Sequence, residues 1–438
     1  MDLDLVRPVK VMDVELSAPI KDIEGMHRYG SLQALIRLYG RPIGYVVVPV
    51  AQGRCLGTNI IEAVVKTLRP RLDREGFPRR FSYRATPEGW RTDGIPNDPF
   101  KKSNGPFPLV SVAVCTRDRD SHLKACLDSL QNLSYPRLDI MVVDNAPRTN
   151  AAKRLVNGKF SNMRYLVEPR PGLDWARNRA IMESQGEILA FTDDDVVVDP
   201  GWIDALVKVF MEDPEVMAVT GLVVPYELET RAQILFEAYG GFGKGFESRR
   251  FRRFNPNGGR NWSHLKAGDL GTGANMAFRR SIFGRIGGFD PALDVGTVSC
   301  GGGDLEILFR VVQEGHTLVY EPNAVVRHVH RRGYKVLKNQ IRNWGTAFVA
   351  YLMRSAIAYP EARYKIGRFT VRWFVGRHLI RVLKNPRGPK HVPLNLMWAE
   401  LSGSLSGLFA YQKARQIARQ IEADFGPMGG DISISTCH

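Results

Sequence analysis

The sequence predicts an α/β protein in which a mostly parallel sheet flanked by helices fills the middle of the chain. A small N-terminal α+β domain precedes it and a basic helical region follows it. Three observations carry this expectation. Between residues 109 and 192, short β-branched runs alternate with stretches of helical spacing. Residues 84–108 are crowded with Pro, Gly and Asn. From Arg327 through Gln420 the chain carries nineteen Lys and Arg against two carboxylates. The expected boundaries are 1–105, 106–335 and 336–438.

In the first part, SLQALIRLYGRPIGYVVVPV (31–50) reads as a β-hairpin turning at Arg41-Pro42, and NIIEAVVKTLRPRL (59–72) as a helix. RATPEGWRTDGIPNDPFKKSNGPFP (84–108) is a linker by composition. LVSVAVCT (109–116) then reads as a buried strand, HLKACLDSLQNL (122–133) as a helix and LDIMVVDN (138–145) as a second strand. KRLVNGKF (153–160) is helical, MRYLVEP (163–169) extended, LDWARNRAIMESQ (173–185) helical and EILAFT (187–192) extended. Strands and helices alternating at this spacing give parallel strands with helices on both faces. Ligands of such sheets lie beyond the carboxyl ends of the strands. Those ends here are Thr116-Arg117-Asp118, Asp144-Asn145, Glu168-Pro169-Arg170 and the acidic run from Asp193.

Composition limits the function classes. Of 438 residues, 44% are hydrophobic and 10% aromatic, enough for a true core. The net charge of +16 points to an anionic partner: nucleic acid, a membrane surface or a phosphate-bearing substrate. Five scattered cysteines without a CxxC pair suit a reducing compartment. The opening MDLDLVRPVK has acids where a signal peptide has bases, so the expected location is cytoplasmic, peripheral at the inner face of a membrane. The most membrane-like segments, 344–359 and 394–411, are each interrupted by a charge. Neither a GxGxxG turn nor a P-loop follows any strand, so phosphate needs another clamp.

FTDDDVVVDP (191–200) offers one, because it sets three carboxylates side by side at a strand end. They repel one another unless water solvates them or a cation shares them. The purely structural alternative is a solvated acidic turn, with Asp199 as N-cap of a helix starting near Gly201. At Asp144 the two readings are an acceptor for a base N–H and an Asx-turn. For Arg117 and Arg177 they are a phosphate fork and an ordinary surface arginine.

Five motifs stand in order: VSVAVCTRDR, VVDNAP, FTDDDVVVDPGW, GTGANMAFRRSIFGRIGGFD and GGGDLEILFRV. With them, the region from Pro108 to Tyr334 resembles the family 2 glycosyltransferases of the GT-A fold. The resemblance implies a nucleotide-diphosphate sugar as donor and a glycan or lipid-linked acceptor. It implies Mn²⁺ or Mg²⁺ on Asp195 and Asp193, and donor contacts from Thr116, Arg117, Asp144, Arg177, Asp193 and Asp194. It also implies inversion at the anomeric carbon, with Asp304 as general base. This chain reads Gly302-Gly303-Asp304 where many members carry a Glu-Asp pair; Asp304 aligns with the second member, and Glu306 is expected to be structural.

His328 and His330 follow a strand, and only one of them need face the site; His330 is expected as a metal ligand. VLKNQIRNWG (336–345) departs from the Q-x-x-R-W spacing of processive members, which argues against a polymer synthase. The basic tail suits an anionic membrane surface. Three readings compete. A sugar-phosphate nucleotidyltransferase would carry a glycine-rich basic loop where this chain has CTRDRDSH. A nucleic-acid binder would show a recognisable module, so no nucleic-acid partner is expected. The third is a non-catalytic glycan-binding relative.

Overall fold

The computed structural model describes residues 7–77, 82–92, 107–254, 262–380 and 392–427. Contacts divide the chain into two units. The first comprises residues 1–105 together with 225–247 and 329–334, two stretches that no local pattern groups with it. Its centre is a three-stranded sheet: β1 (Val9–Glu15) runs parallel to β2 (Ser31–Leu38), which pairs antiparallel with β3 (Arg41–Pro49). Helix α1 (Gly57–Arg74) buries Ile60, Ile61 and Val64 in one core with Leu32, Ala34, Ile36, Val46 and Val48 of the strands.

The hairpin turns at Tyr39-Gly40 rather than at Arg41-Pro42. Both turn residues have positive φ, 51° and 78°, the geometry that follows the twist of paired strands. Glycine adopts it freely; Tyr39 is held there because its N–H and that of Gly40 both donate to the Glu15 carboxylate, at 2.9 and 2.8 Å. The expected linker is also partly folded, since β4 (Tyr83–Thr86) and β5 (Gly89–Thr92) form a small hairpin. Its residues 93–106 lie outside the described residues.

The second unit holds residues 106–224, 248–328 and 335–438. Here β6 (Val110–Thr116), α2 (Asp120–Gln131), β7 (Leu138–Asn145), α3 (Ala151–Lys159), β8 (Arg164–Glu168), α4 (Leu173–Glu183) and β9 (Ile188–Asp193) follow the sequence-derived pattern closely. Strands β9, β6, β7 and β8 are parallel and adjacent in that order. Every residue of β6 is buried, as a strand covered by helices on both faces requires.

The sheet then continues in an antiparallel half. It contains β10 (Val196–Val198), β11 (Val216–Pro225), β12 (Arg249–Phe251), β13 (Met276–Arg279) and β14 (Thr317–His328). β13 pairs with β9 and β11, and β14 with β10 and β12, all antiparallel. Helix α5 (Trp202–Glu212) starts from Gly201 as its N-cap without a side-chain cap; Asp199 accepts the Gly201 N–H, at 3.3 Å, and is not the expected N-cap.

Helix α6 (Gly303–Gln313) carries the last motif, with left-handed Gly302 (φ 108°) as its N-cap. The helices expected as a separate C-terminal region share the core of this unit. Tyr351 and Leu352 of α7 (Tyr334–Ala358) and Ile366 of α8 (Arg363–Phe374) pack with Phe309 of α6. Helix α9 (Leu394–Phe425) crosses α7 at close range: a Cβ on Gly403 would strike the Arg342 carbonyl, and one on Gly345 the Glu400 carbonyl. Among the described residues no helix is long and apolar enough to cross a membrane.

Candidate active site

Strand register assembles the site. Cys115 of β6 stands beside Asp193 of β9, Thr116 beside Asp144 of β7, and Asn145 beside Glu168 of β8, so the four polar ends share one edge. At that edge Asp194 is 3% and Asp195 4% exposed. Leaving water disfavours their charge, and the protein answers with fixed partners. The Thr116 hydroxyl donates to Asp194 Oδ2 at 2.8 Å. Arg119 forks across the pair, from Nη1 to Asp194 Oδ1 at 2.6 Å and from Nη2 to Asp195 Oδ2 at 2.7 Å. His328 Nε2 lies 3.3 Å from Asp195 Oδ1.

The two carboxyls diverge in consequence. Burial, only partly offset by Arg119, pushes Asp194 up to about 7. At Asp195 burial acts the same way, but His328 and Arg119 outweigh it and hold the carboxyl well below the usual carboxylate range. Asp193 is the open member, its side chain 33% exposed.

Arg177 of α4 is buried beneath this edge. It donates to Asp174 Oδ1 at 3.0 Å, its Nη2 lies 3.7 Å from Asp193 Oδ1, and it stacks over the Phe289 ring. Asp174 accompanies a second fully buried acid, Asp294, whose Oδ2 accepts the Asp174 N–H at 2.9 Å. Burial and the adjacent Asp294 charge push Asp174 up, and burial pushes Asp294 to about 7.

Asp304, half-buried at the start of α6, accepts the Gly273 N–H on Oδ2 and the Leu305 N–H on Oδ1, each at 2.9 Å. Its charge acts on both Arg177 and Asp193. At the end of β7, buried Asp144 accepts the Tyr165 hydroxyl at 2.7 Å. Asn145 ties the next turn together, donating to the Arg170 carbonyl at 2.7 Å and accepting the Gly172 N–H at 2.8 Å.

Thr116, Asp193, Asp194, Asp195, Arg177 and Asp304 therefore gather as the sequence suggested, with Asp144 one strand away. Two expectations need correction. Arg117 is exposed, and the guanidinium on the acidic cluster is that of Arg119. His330 does not join Asp195: its Nε2 sits 2.8 Å from Glu237 Oε1 and its ring packs on Phe236 and Phe242. The imidazole at the cluster is His328, brought there because β14 pairs His328 with Val196, next in sequence to Asp195.

The donor set suits a hard divalent cation. It offers the partly open Asp193 carboxylate, the strongly ionised Asp195 and the imidazole of His328. Among the described residues no three such side chains already surround one point. These side chains would supply only part of a coordination shell; in many magnesium sites phosphate oxygens and water supply the rest.

A strand-end carboxylate cluster with a helix-borne acid at the same edge, on a sheet of this topology, is the arrangement of a group-transfer enzyme. Residues 111–287 match the family described as Glycosyl transferase family 2. Residues 111–287 are accordingly a family 2 glycosyltransferase domain, on the α/β, GT-A-type fold expected from the sequence.

Among curated relatives, glucosyl-dolichyl phosphate glucuronosyltransferase of Haloferax volcanii is 23% identical over 227 residues, covering 50% of this chain and 68% of the relative. O-antigen biosynthesis protein RfbC of Myxococcus xanthus is 28% identical over 295 residues, covering 61% of this chain and only 19% of its own length. A solved structure of a mannosyltransferase from Pyrobaculum calidifontis, described in complex with GDP-Man and Mn²⁺, overlaps with a TM-score of 0.42 at 21% identity, over 73% of this chain and 76% of that one.

Sequence reasoning missed Arg119, Tyr165 and the pair Asp174–Asp294, and it named His328 only as the alternative to His330. Arg119 carried a weak signal, lying two residues beyond the Arg117 that was singled out. The others depend on packing between elements distant in the chain, which no local pattern reports.

Proposed function

We propose that this chain transfers a sugar from a nucleoside-diphosphate sugar to a hydroxyl of a glycan or lipid-linked acceptor, inverting the anomeric carbon. The observation that carries this is the pairing of the acidic end of β9 with Asp304 through Arg177, which sets a cation-hungry edge opposite a fixed carboxylate. The proposed setting is the cytoplasmic face of a membrane.

In this reading Asp144 accepts a base N–H, while Arg119 and Arg177 supply positive charge near the phosphates. Asp304 is oriented by two backbone N–H groups, and each of its oxygens keeps a lone pair for a proton. It takes the proton of the acceptor hydroxyl as that oxygen bonds to the anomeric carbon. The bond from that carbon to the diphosphate oxygen breaks, and its electron pair leaves with the nucleoside diphosphate. Asp193, Asp195 and His328 would hold Mn²⁺ or Mg²⁺, which when bound offsets the charge of the diphosphate.

The test is a thermal-shift panel of nucleoside diphosphates and their sugars with Mn²⁺ and with chelator, followed by NMR of the product's anomeric signal. One base class should raise Tm only with metal, and the product should have the opposite anomeric configuration to the donor. A metal-independent shift, or a product of retained configuration, overturns the reading.

A further inference from the structure

Helix α9 shows two unlike faces. Inward it presents Gly403, Ser404, Gly407, Ala410 and Ala414 to the protein. Outward it presents Leu394, Trp398, Leu405, Leu408 and Phe409, exposed by 55%, 64%, 51%, 41% and 76%. At the helical advance of about 100° per residue these five fall within a single stripe roughly 100° wide. Scattered apolar residues on a surface are ordinary, but a continuous stripe including a mostly exposed Trp and Phe marks a contact surface.

The neighbouring helix supplies charge. α8 contains Arg363, Lys365, Arg368 and Arg372, all exposed, and no carboxylate. Ile366 is its buried residue, while Tyr364 and Val371 are 79% and 64% exposed. The turn after α8 is fastened to α9, with Arg377 Nε 2.9 Å from Glu400 Oε1 and His378 Nε2 3.1 Å from Ser404 Oγ. A cationic helix with apolar residues is thus joined to an apolar stripe, and no described helix is apolar enough to span a bilayer.

We propose that the α8–α9 surface docks on an anionic lipid surface, with Trp398 and Phe409 entering the boundary between headgroups and acyl chains while the α8 cations meet acidic headgroups. Charge complementarity selects this occupant. Two copies of the chain brought together at this face would oppose cation to cation, whereas acidic lipid neutralises the α8 charges and the interface accepts Trp and Phe. This deepens the glycosyltransferase reading by assigning the acceptor to a membrane, and it rests on that reading only for the lipid-linked acceptor; the docking itself is independent of catalysis.

The test is flotation of the full chain with vesicles of phosphatidylcholine, with and without phosphatidylglycerol. Mixed vesicles should bind at least about tenfold more tightly than phosphatidylcholine alone. The double variant W398E/F409E and the double variant R368E/R372E should each lose about tenfold or more of that binding. Both should keep the wild-type Tm and the wild-type thermal shift with nucleotide sugar, so failure of docking is distinguishable from failure of the transferase reading. Equal vesicle binding by wild type and both variants overturns the proposal. So does a concentration-dependent dimer, seen by light scattering, that W398E/F409E dissolves, because the stripe then belongs to a second copy.

Discussion

Asp304 and Glu306 stand two residues apart on α6, and they keep a carboxylate in protein by opposite means. Asp304 is half-buried, steadied by two backbone N–H groups. Glu306 is fully buried between two guanidinium groups, Arg310 on Oε2 and Arg354 on Oε1, each at 2.6 Å. Arg354 in turn lies 3.6 Å from Asp290, which also accepts the Tyr411 hydroxyl at 2.8 Å. Around Glu306 two acids meet two arginines and the charge cancels. Around Asp304 the charged neighbours are Asp174, Asp193 and Arg177, and Asp193 leads on to Asp194 and Asp195, held by Arg119 and His328. A closed, neutral network locks α6 to α7 and α9. A row of three carboxylates at an edge that Asp193 leaves partly open suits a cation.

The sharpest way to break this division is Asp304→Asn. It should lower kcat about a thousandfold, as removal of a general base does, while the thermal shift with nucleotide sugar stays at the wild-type value. Wild-type turnover in that variant would return Asp304 to a merely structural role. Glu306→Ala should do the reverse, costing about 3–5 kcal/mol in urea unfolding because two buried arginines lose their partner. If it abolished turnover at unchanged stability, the two carboxylates could not be separated in this way. Asp195→Ala should remove most of the Mn²⁺-dependent part of the nucleotide-sugar thermal shift without lowering Tm in the absence of ligand.

A pH series sharpens the comparison further. Asp294 sits near 7 through burial, above the ordinary carboxyl value of 3.8. Between those values the native state holds a proton that the unfolded chain has released, so this group's contribution to stability falls as pH rises. Asp294→Asn removes that loss, and its Tm relative to wild type should climb steadily from about pH 4 to about pH 7. The smallest effect is expected at Tyr165→Phe, which deletes one hydrogen bond to Asp144 and should cost about 1 kcal/mol of stability by the same urea measurement.

The parallel half of the sheet was legible because its crossovers are local. Each strand is followed within about twenty residues by its helix and the next strand, and hydrophobic period alone marks the change. The antiparallel half was not. Only the end of β14, with His328 and His330, drew notice, and its ladder with β10 joins residues more than a hundred positions apart. That ladder ends at His328 and decides which histidine meets Asp195; two residues apart on a strand the two histidines would share a face, so local pattern could not separate them and His330 was the wrong choice. The acidic run and Asp304 were visible as residue types out of place, carboxylates beside apolar runs. Asp174 and Asp294 sit at a helix start and in a loop, where acids are ordinary, and only their complete burial makes them unusual. The Tyr39-Gly40 turn was misplaced by two residues because Pro42 drew attention, although a proline is equally at home at the start of a strand.

The crossing of α7 and α9 also fixes a direction. With hydrogen the only substituent that fits at Gly345 and Gly403, α9 cannot roll about its own axis without driving a side chain into a facing carbonyl. Its outer side therefore keeps one compass bearing relative to the glycosyltransferase core, so whatever the helix lies against, the reaction centre is presented to it at a constant angle.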